Sequence, residues 1–201
     1  MTGIMTRPTR ILAFAAIMGA ALSAPAFAHT GIGAHGNGFM AGFMHPLMGL
    51  DHMLAMLGVG IWAAQLGKRA IWLVPAAFVA VMIGGAALAL SGAPMPMVEF
   101  GIAGSVLVIG GLIALGARMP VALAMSLVGA FALFHGHAHG TELPGFAHPA
   151  AYGAGFVAAT ALLHAAGLGI AYLVRRHAAK LPFRIAGAMM AAVGGGLLLG
   201  A

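Results

Sequence analysis

The chain has 201 residues, of which 62% are hydrophobic and only 6% are charged, and its mean hydropathy is +1.06. Soluble globular domains of ordinary composition are less apolar, so the sequence predicts an all-α integral membrane protein, a compact bundle of transmembrane helices. The net charge of +6 is scattered between apolar runs, which excludes a nucleic-acid-binding face, and the absence of cysteine excludes thiolate metal sites.

The first 28 residues have the pattern of a secretory signal peptide. Arg7 and Arg10 precede the apolar stretch ILAFAAIMGAAL, and Ala26-Phe27-Ala28 provides the small residues that a signal peptidase reads. We predict cleavage after Ala28, which divides the chain into a signal peptide, 1–28, and a mature membrane domain, 29–201. The alternative is an uncleaved first helix.

Cleavage at this point would place His29 at the mature N-terminus. Its α-amine and imidazole could close a chelate ring on a metal ion, with His35 nearby as a further donor. A polar periplasmic tail that binds nothing is the alternative interpretation.

Six apolar segments follow, each with roughly the 17 to 25 residues that a membrane-spanning helix needs, or more. The connections between them are short, which favours antiparallel neighbours in a compact bundle. The segments are approximately Phe39–Leu66, Ile71–Leu90, Met97–Leu115, Pro120–Ala138, Phe146–Val174 and Phe183–Leu199.

The lysines and arginines of the mature chain occur only in alternate connections. The positive-inside rule places these connections in the cytoplasm and both mature termini in the periplasm. We therefore predict a multi-pass protein of a bacterial inner membrane, surrounded by the lipid bilayer. The basic residues concerned are Lys68, Arg69, Arg118, Arg175, Arg176, Lys180 and Arg184.

The first span contains three ionisable residues, His45, Asp51 and His52. Such a cluster at membrane depth is costly and usually functional, and imidazole and carboxylate are donors that divalent transition metals prefer. His45 and His52 share one helix face, but Asp51 lies about 100° around from His52. The three can meet one ion only if Pro46 and Gly49 kink or open the helix. The alternative is histidines that bond to the backbone and only pack the bundle.

The fourth span ends in a second group, with His135, His139 and Glu142 at i, i+4 and i+7. These three form one stripe of a helix, whereas His137 points elsewhere. Two imidazoles one turn apart, with a carboxylate beyond them, can chelate a divalent ion. A histidine-rich loop that only buffers metal is the alternative.

Two further ionisable residues are weaker candidates as metal ligands. Glu99 begins the third span, and because lipid disfavours an unpaired carboxylate, we expect it to face a cation or a histidine. His164 lies deep in the fifth span, where it either binds metal or bonds to a neighbouring helix. The candidate ligands together form a series from the periplasmic surface toward the membrane centre, as expected for uptake.

The segments HPLMGLDH, from His45 to His52, and FHGHAHGTE, from Phe134 to Glu142, resemble the two signature motifs of the HupE/UreJ family of nickel permeases, HPxxGxDH and FHGxAHGxE. Both match at every fixed position, and the resemblance covers the mature chain. It implies uptake of Ni²⁺, or for some members Co²⁺, in support of hydrogenase or urease maturation. By motif position it implicates His45, Asp51, His52, His135, His139 and Glu142.

The sequence thus predicts a secondary permease and not an enzyme, with Ni²⁺ or Co²⁺ as the transported substrate and no catalytic cofactor. An intramembrane zinc hydrolase is the main alternative, although no HExxH motif is present, and a haem-binding bundle is another. The two motif-bearing spans enter from opposite sides, which suits two three-helix halves in inverted repeat. The sequence leaves open the choice between nickel and cobalt, the energy coupling and whether a homo-oligomer forms.

Overall fold

The computed structural model describes residues 38–145, 147–177 and 180–200, and every regular element in this part of the chain is an α-helix. The predicted signal peptide, 1–28, lies outside the described residues, as do His29 and His35. The described helices are α1 (Gly38–Met48), α2 (Leu50–Leu66), α3 (Ala70–Leu90), α4 (Val98–Leu115), α5 (Val121–Thr141), α6 (Pro149–His177) and α7 (Leu181–Gly200).

Five of these helices, α3 to α7, are long and apolar enough to cross a membrane. Helices α1 and α2 pass the same test only as a pair, and the pair is bent by 81°. The prediction of an all-α membrane protein is therefore confirmed, with five spans, or six if the bent pair counts as one. The helix ends differ from the predicted segment ends by no more than three residues.

The bend between α1 and α2 falls at Gly49. The backbone there is extended, with φ −85° and ψ 115°, and Pro46 in the last turn of α1 has no amide hydrogen to donate. A Cβ atom on Gly49 would lie 3.0 Å from Asp51 Oδ1 and 3.3 Å from His52 Nδ1. Glycine thus leaves room for both side chains beside the break, and the distortion that a shared site would require is present at Gly49.

The three most extensive helix pairings join α3 to α5, α4 to α7, and the bent pair to α6. Counted as spans, the first pairs with the fifth, the second with the fourth and the third with the sixth. If spans 1, 2 and 3 are renumbered 4, 5 and 6, and spans 4, 5 and 6 are renumbered 1, 2 and 3, the same three pairs result. The pairing therefore agrees with the inverted repeat expected from the sequence.

Basic residues collect at one end of the bundle. The indole Nε1 of Trp62 donates a hydrogen bond to the carbonyl of Ala117 at 3.1 Å, which joins the end of α2 to the residues that follow α4. Lys68 and Arg69 follow α2 directly, and Arg118 follows Ala117. The basic connections that follow α2 and α4 thus lie at the same end of the folded bundle.

Helices α3 and α5 approach each other closely because small residues line their crossing. A Cβ atom on Gly136 would overlap the main-chain carbonyl of Met82, so neither backbone could keep its place. Small residues at such crossings are the usual way in which membrane helices reach close contact. Because Gly136 lies between His135 and His137, this contact also fixes the position from which the α5 histidines project.

We expect Gly136→Ala to destabilise the protein by about 1–3 kcal/mol, because the added methyl group must push two helix backbones apart. Gly84→Ala is the matched control, since a Cβ atom on Gly84, in the neighbouring helix α3, would meet nothing within 4 Å. Thermal unfolding of the purified protein in detergent measures both effects. Equal midpoints for the two variants would contradict the packing argument.

Candidate metal centre

Three histidines from three helices come together inside the bundle. They are His45 on α1, His52 on α2 and His139 on α5, and one ring nitrogen from each lies within 4.8 Å of the others. His52 and His139 are buried, and His45 is partly exposed. These residues are the three-His cluster. Small side-chain movements would allow nitrogens at this separation to bind one divalent cation.

The rings of the three-His cluster pack against one another and against a fourth imidazole. The ring centroid of His139 lies 4.8 Å from those of His45 and His52, and His135 lies 4.8 Å from His52. Phe156 of α6 stacks on His139, with centroids 4.7 Å apart and an interplanar angle of 12°. The stacked phenyl ring limits the tilt of His139 and hence the directions of its two nitrogens.

Asp51 contacts His52 and supports it. Its Oδ1 lies 2.8 Å from His52 Nδ1 and also accepts a hydrogen bond from the main-chain N–H of His52 at 2.7 Å. An ionised carboxylate only accepts hydrogen bonds, so His52 donates from Nδ1 and keeps the lone pair on Nε2. Carboxylates in this position orient a ligating imidazole and strengthen it as a donor to metal.

Glu142 makes the corresponding contact with His45. His45 Nε2 lies 2.8 Å from Glu142 Oε2, which follows the last turn of α5. This hydrogen bond holds the pKa of the Glu142 carboxyl below its ordinary value, so the group is ionised at neutral pH. His45 then donates from Nε2 and keeps the lone pair on Nδ1. The contact also links α1 to the end of α5.

Ser105 was not identified from the sequence, yet it orients His135. Its hydroxyl donates to the carbonyl of Ile102 at 2.6 Å and lies 3.0 Å from His135 Nε2. Since the hydroxyl has one proton, His135 must donate from Nε2, which leaves the lone pair on Nδ1. The available signal was a single hydroxyl in the otherwise apolar span of α4.

Several ring nitrogens of His52, His135 and His139 have no hydrogen-bond partner in the described part of the chain. They are Nε2 of His52, Nδ1 of His135 and both nitrogens of His139. Leaving a polar group buried in this way costs about 1–3 kcal/mol. A divalent cation would accept one lone pair from each imidazole that binds it and reduce that cost, and the two carboxylates would offset its charge.

The remaining candidates lie around this group. Glu99 is exposed in the first turn of α4, near enough to the two carboxylates of the site for their charges to interact. His137 Nε2 lies 2.9 Å from the carbonyl of Ala93, so it fastens α5 to the connection between α3 and α4. His164 is buried in α6, outside the three-His cluster.

A carboxylate-supported group of imidazoles within membrane-spanning helices defines a multi-span membrane protein with a candidate site for a divalent metal. The family model described as HupE / UreJ protein matches residues 15–197. The chain is 48% identical over 181 residues to Protein HupE from Rhizobium leguminosarum bv. viciae, and the match covers 90% of this chain and 95% of that protein. No solved structure matches. The chain belongs to the HupE/UreJ family.

This family is one of nickel and cobalt transporters and not of enzymes. Family membership therefore confirms the resemblance carried by the two motifs. It also confirms that the protein is not an enzyme, and it removes the intramembrane zinc hydrolase as an alternative.

We expect Asp51→Ala to weaken nickel binding about 10- to 100-fold, because His52 loses the carboxylate that fixes its tautomer and orientation. The control is His148→Ala, which removes an exposed imidazole outside the three-His cluster. Titration calorimetry on the purified protein measures the affinities. Wild-type affinity in Asp51→Ala, with an unchanged unfolding midpoint, would show that the carboxylate does not support the site.

Proposed function

We propose that the protein is a secondary permease that takes up Ni²⁺ across the bacterial inner membrane, through a site formed by the first and fourth spans. The observation that carries this proposal is the three-His cluster, in which His52 Nε2 and both ring nitrogens of His139 lack protein partners in the described chain. The nickel so acquired would supply hydrogenase or urease maturation. Co²⁺ is the alternative substrate, since nitrogen and oxygen donors suit both ions.

The donor set favours a borderline transition metal over the abundant hard cations. Mg²⁺ and Ca²⁺ prefer oxygen ligands, whereas the three-His cluster presents imidazole nitrogens. Asp51 and Glu142 each hold a histidine through a hydrogen bond of 2.8 Å, so their oxygens support the imidazoles. Affinity alone would favour Cu²⁺ over Ni²⁺, so selection between these two must come from the geometry around the ion.

The site lies at the end of the bundle opposite the basic connections. His52 is the third residue of α2, and Lys68 and Arg69 follow the far end of that helix. With the basic end in the cytoplasm, the three-His cluster faces the periplasm. Hydrated Ni²⁺ would then exchange its waters for imidazoles at the periplasmic side before it moves inward.

The energy for uptake would come from a gradient or from trapping of the metal inside the cell. No phosphate-binding GxxxxGK[ST] motif occurs in the sequence. The membrane potential, negative inside, favours the inward movement of a divalent cation.

We expect His45→Ala, Asp51→Ala and His139→Ala each to reduce initial nickel uptake at least about tenfold, since each removes a ligand or the support of one. His148→Ala is the matched control and should transport at the wild-type rate. The measurement is uptake of radioactive nickel by cells with equal amounts of each variant in the membrane. Wild-type rates in His45→Ala, Asp51→Ala and His139→Ala would refute the proposed function.

Nickel binding is expected to weaken as the pH falls, because protons compete with the metal for imidazole lone pairs. The hydrogen bond from His45 lowers the pKa of the Glu142 carboxyl, so this group stays charged through neutral pH. Nickel affinities measured from about pH 7.5 down to about pH 4.5 test this expectation. An affinity that stays constant or rises as the pH falls would contradict it.

A further inference from the structure

One buried face of α6 extends from the three-His cluster toward the basic end of the bundle. Tyr152, Phe156, Thr160 and His164 recur at every fourth residue, and all four are buried. Phe156 stacks on His139, at the level of the cluster. At about 1.5 Å of rise per residue, His164 lies about 12 Å farther along the helix axis.

No hydrogen bond among the described residues explains the position of His164. Its side chain is 2% exposed, and neither ring nitrogen has a hydrogen-bond partner in the part of the chain that the structure describes. The bond to a neighbouring helix that the sequence left open is therefore not found there. A buried imidazole with two unpaired nitrogens is unfavourable unless it binds something.

One phenyl ring connects His164 to the histidines described above. The ring of Phe78 on α3 contacts His135, with centroids 5.6 Å apart, and meets His164 edge-on at 5.1 Å. Phe78 is itself fully buried. His164 is thus the next imidazole beyond His135, and a single aromatic side chain contacts both.

Three neutral side chains that could donate to a metal meet one turn of α6 before His164. The hydroxyl of Thr160 lies 3.3 Å from Met56 Sδ and 3.7 Å from Met82 Sδ, so thioethers from α2 and α3 reach the same point. All three side chains are fully buried. Thioether sulfurs are soft and mobile ligands, and these carry no charge that would hold a cation strongly.

We propose that His164 forms a second metal-binding position, which holds the divalent cation after it leaves the three-His cluster and before it reaches the basic end. The ligand is a partly dehydrated borderline divalent cation, bound by imidazole nitrogen, with the nearby thioethers as weak donors along the way. A conducting pathway needs such a step, in which binding is favourable enough for entry and weak enough for release. The proposal rests on the proposed transport function.

The test compares His164→Leu with His164→Met after each purified variant is reconstituted into liposome membranes, with radioactive Ni²⁺ as the probe. Leucine and methionine have similar volumes, but only methionine can donate to a metal. We expect initial uptake to fall at least about tenfold in His164→Leu and to stay within about threefold of wild type in His164→Met. Equilibrium nickel binding at the three-His cluster should stay within about twofold in both.

Thermal unfolding shows whether a loss of transport in a variant results from a loss of stability. If His164 acts as a ligand, His164→Leu should unfold at the wild-type temperature or above, because leucine removes a buried unpaired polar group. Equal uptake by wild type and His164→Leu would overturn the proposal, as would an equal loss in both variants or a loss that follows a lowered unfolding temperature. Absence of uptake by the wild-type protein would instead overturn the proposed function, and this proposal with it.

Discussion

Burying the polar imidazoles of the three-His cluster costs free energy. The remainder of the bundle must offset that cost. Asp51, Glu142 and Ser105 each accept a hydrogen bond from one ring nitrogen of a neighbouring histidine. The opposite nitrogens of His52 and His135 remain unpaired in the described chain, as do both of His139. Apolar packing between helices must compensate for this cost when no ion is present. An ion that binds only the folded protein would therefore stabilise it.

The backbone break at Gly49 makes this arrangement possible. Seven residues separate His45 from His52, so a continuous helix would place them about 10 Å apart along its axis. The 81° bend shortens that separation, and nitrogens from both histidines come within 4.8 Å of His139. Pro46 and Gly49 thus contribute to the site through the backbone, although neither has a side chain that binds metal.

Much of the fold could be predicted from the sequence, because a membrane span is set by the length of an apolar run. The break in the first span could also be predicted, since proline and glycine act on the local backbone. His45, His52 and His139 were identified because an ionisable residue at membrane depth is rare enough to be a signal by itself.

The contacts across the bundle could not be predicted in the same way. Helical spacing gives the angle at which a side chain leaves its own helix, but it does not say which helix lies opposite. The pairing of α3 with α5 depends on backbone contacts at small residues, which hydropathy does not register. Phe156 and Thr160 are uncharged, so nothing in the sequence distinguished them from ordinary packing residues, and the only signal at Ser105 was its single hydroxyl.

The bend at Gly49 also connects the site to the thickness of the bilayer. Helix α1 has 11 residues and is about 16 Å long, which is about half of the hydrocarbon layer. It exposes Phe39, Met40, Met44 and Met48, so lipid contacts one side of it while Gly42 packs on α6, whereas α2 is buried against the other helices. A change in membrane thickness would therefore act on His45 more directly than on His52 and His139. We expect the lipid composition of the membrane to tune how well these three residues hold an ion.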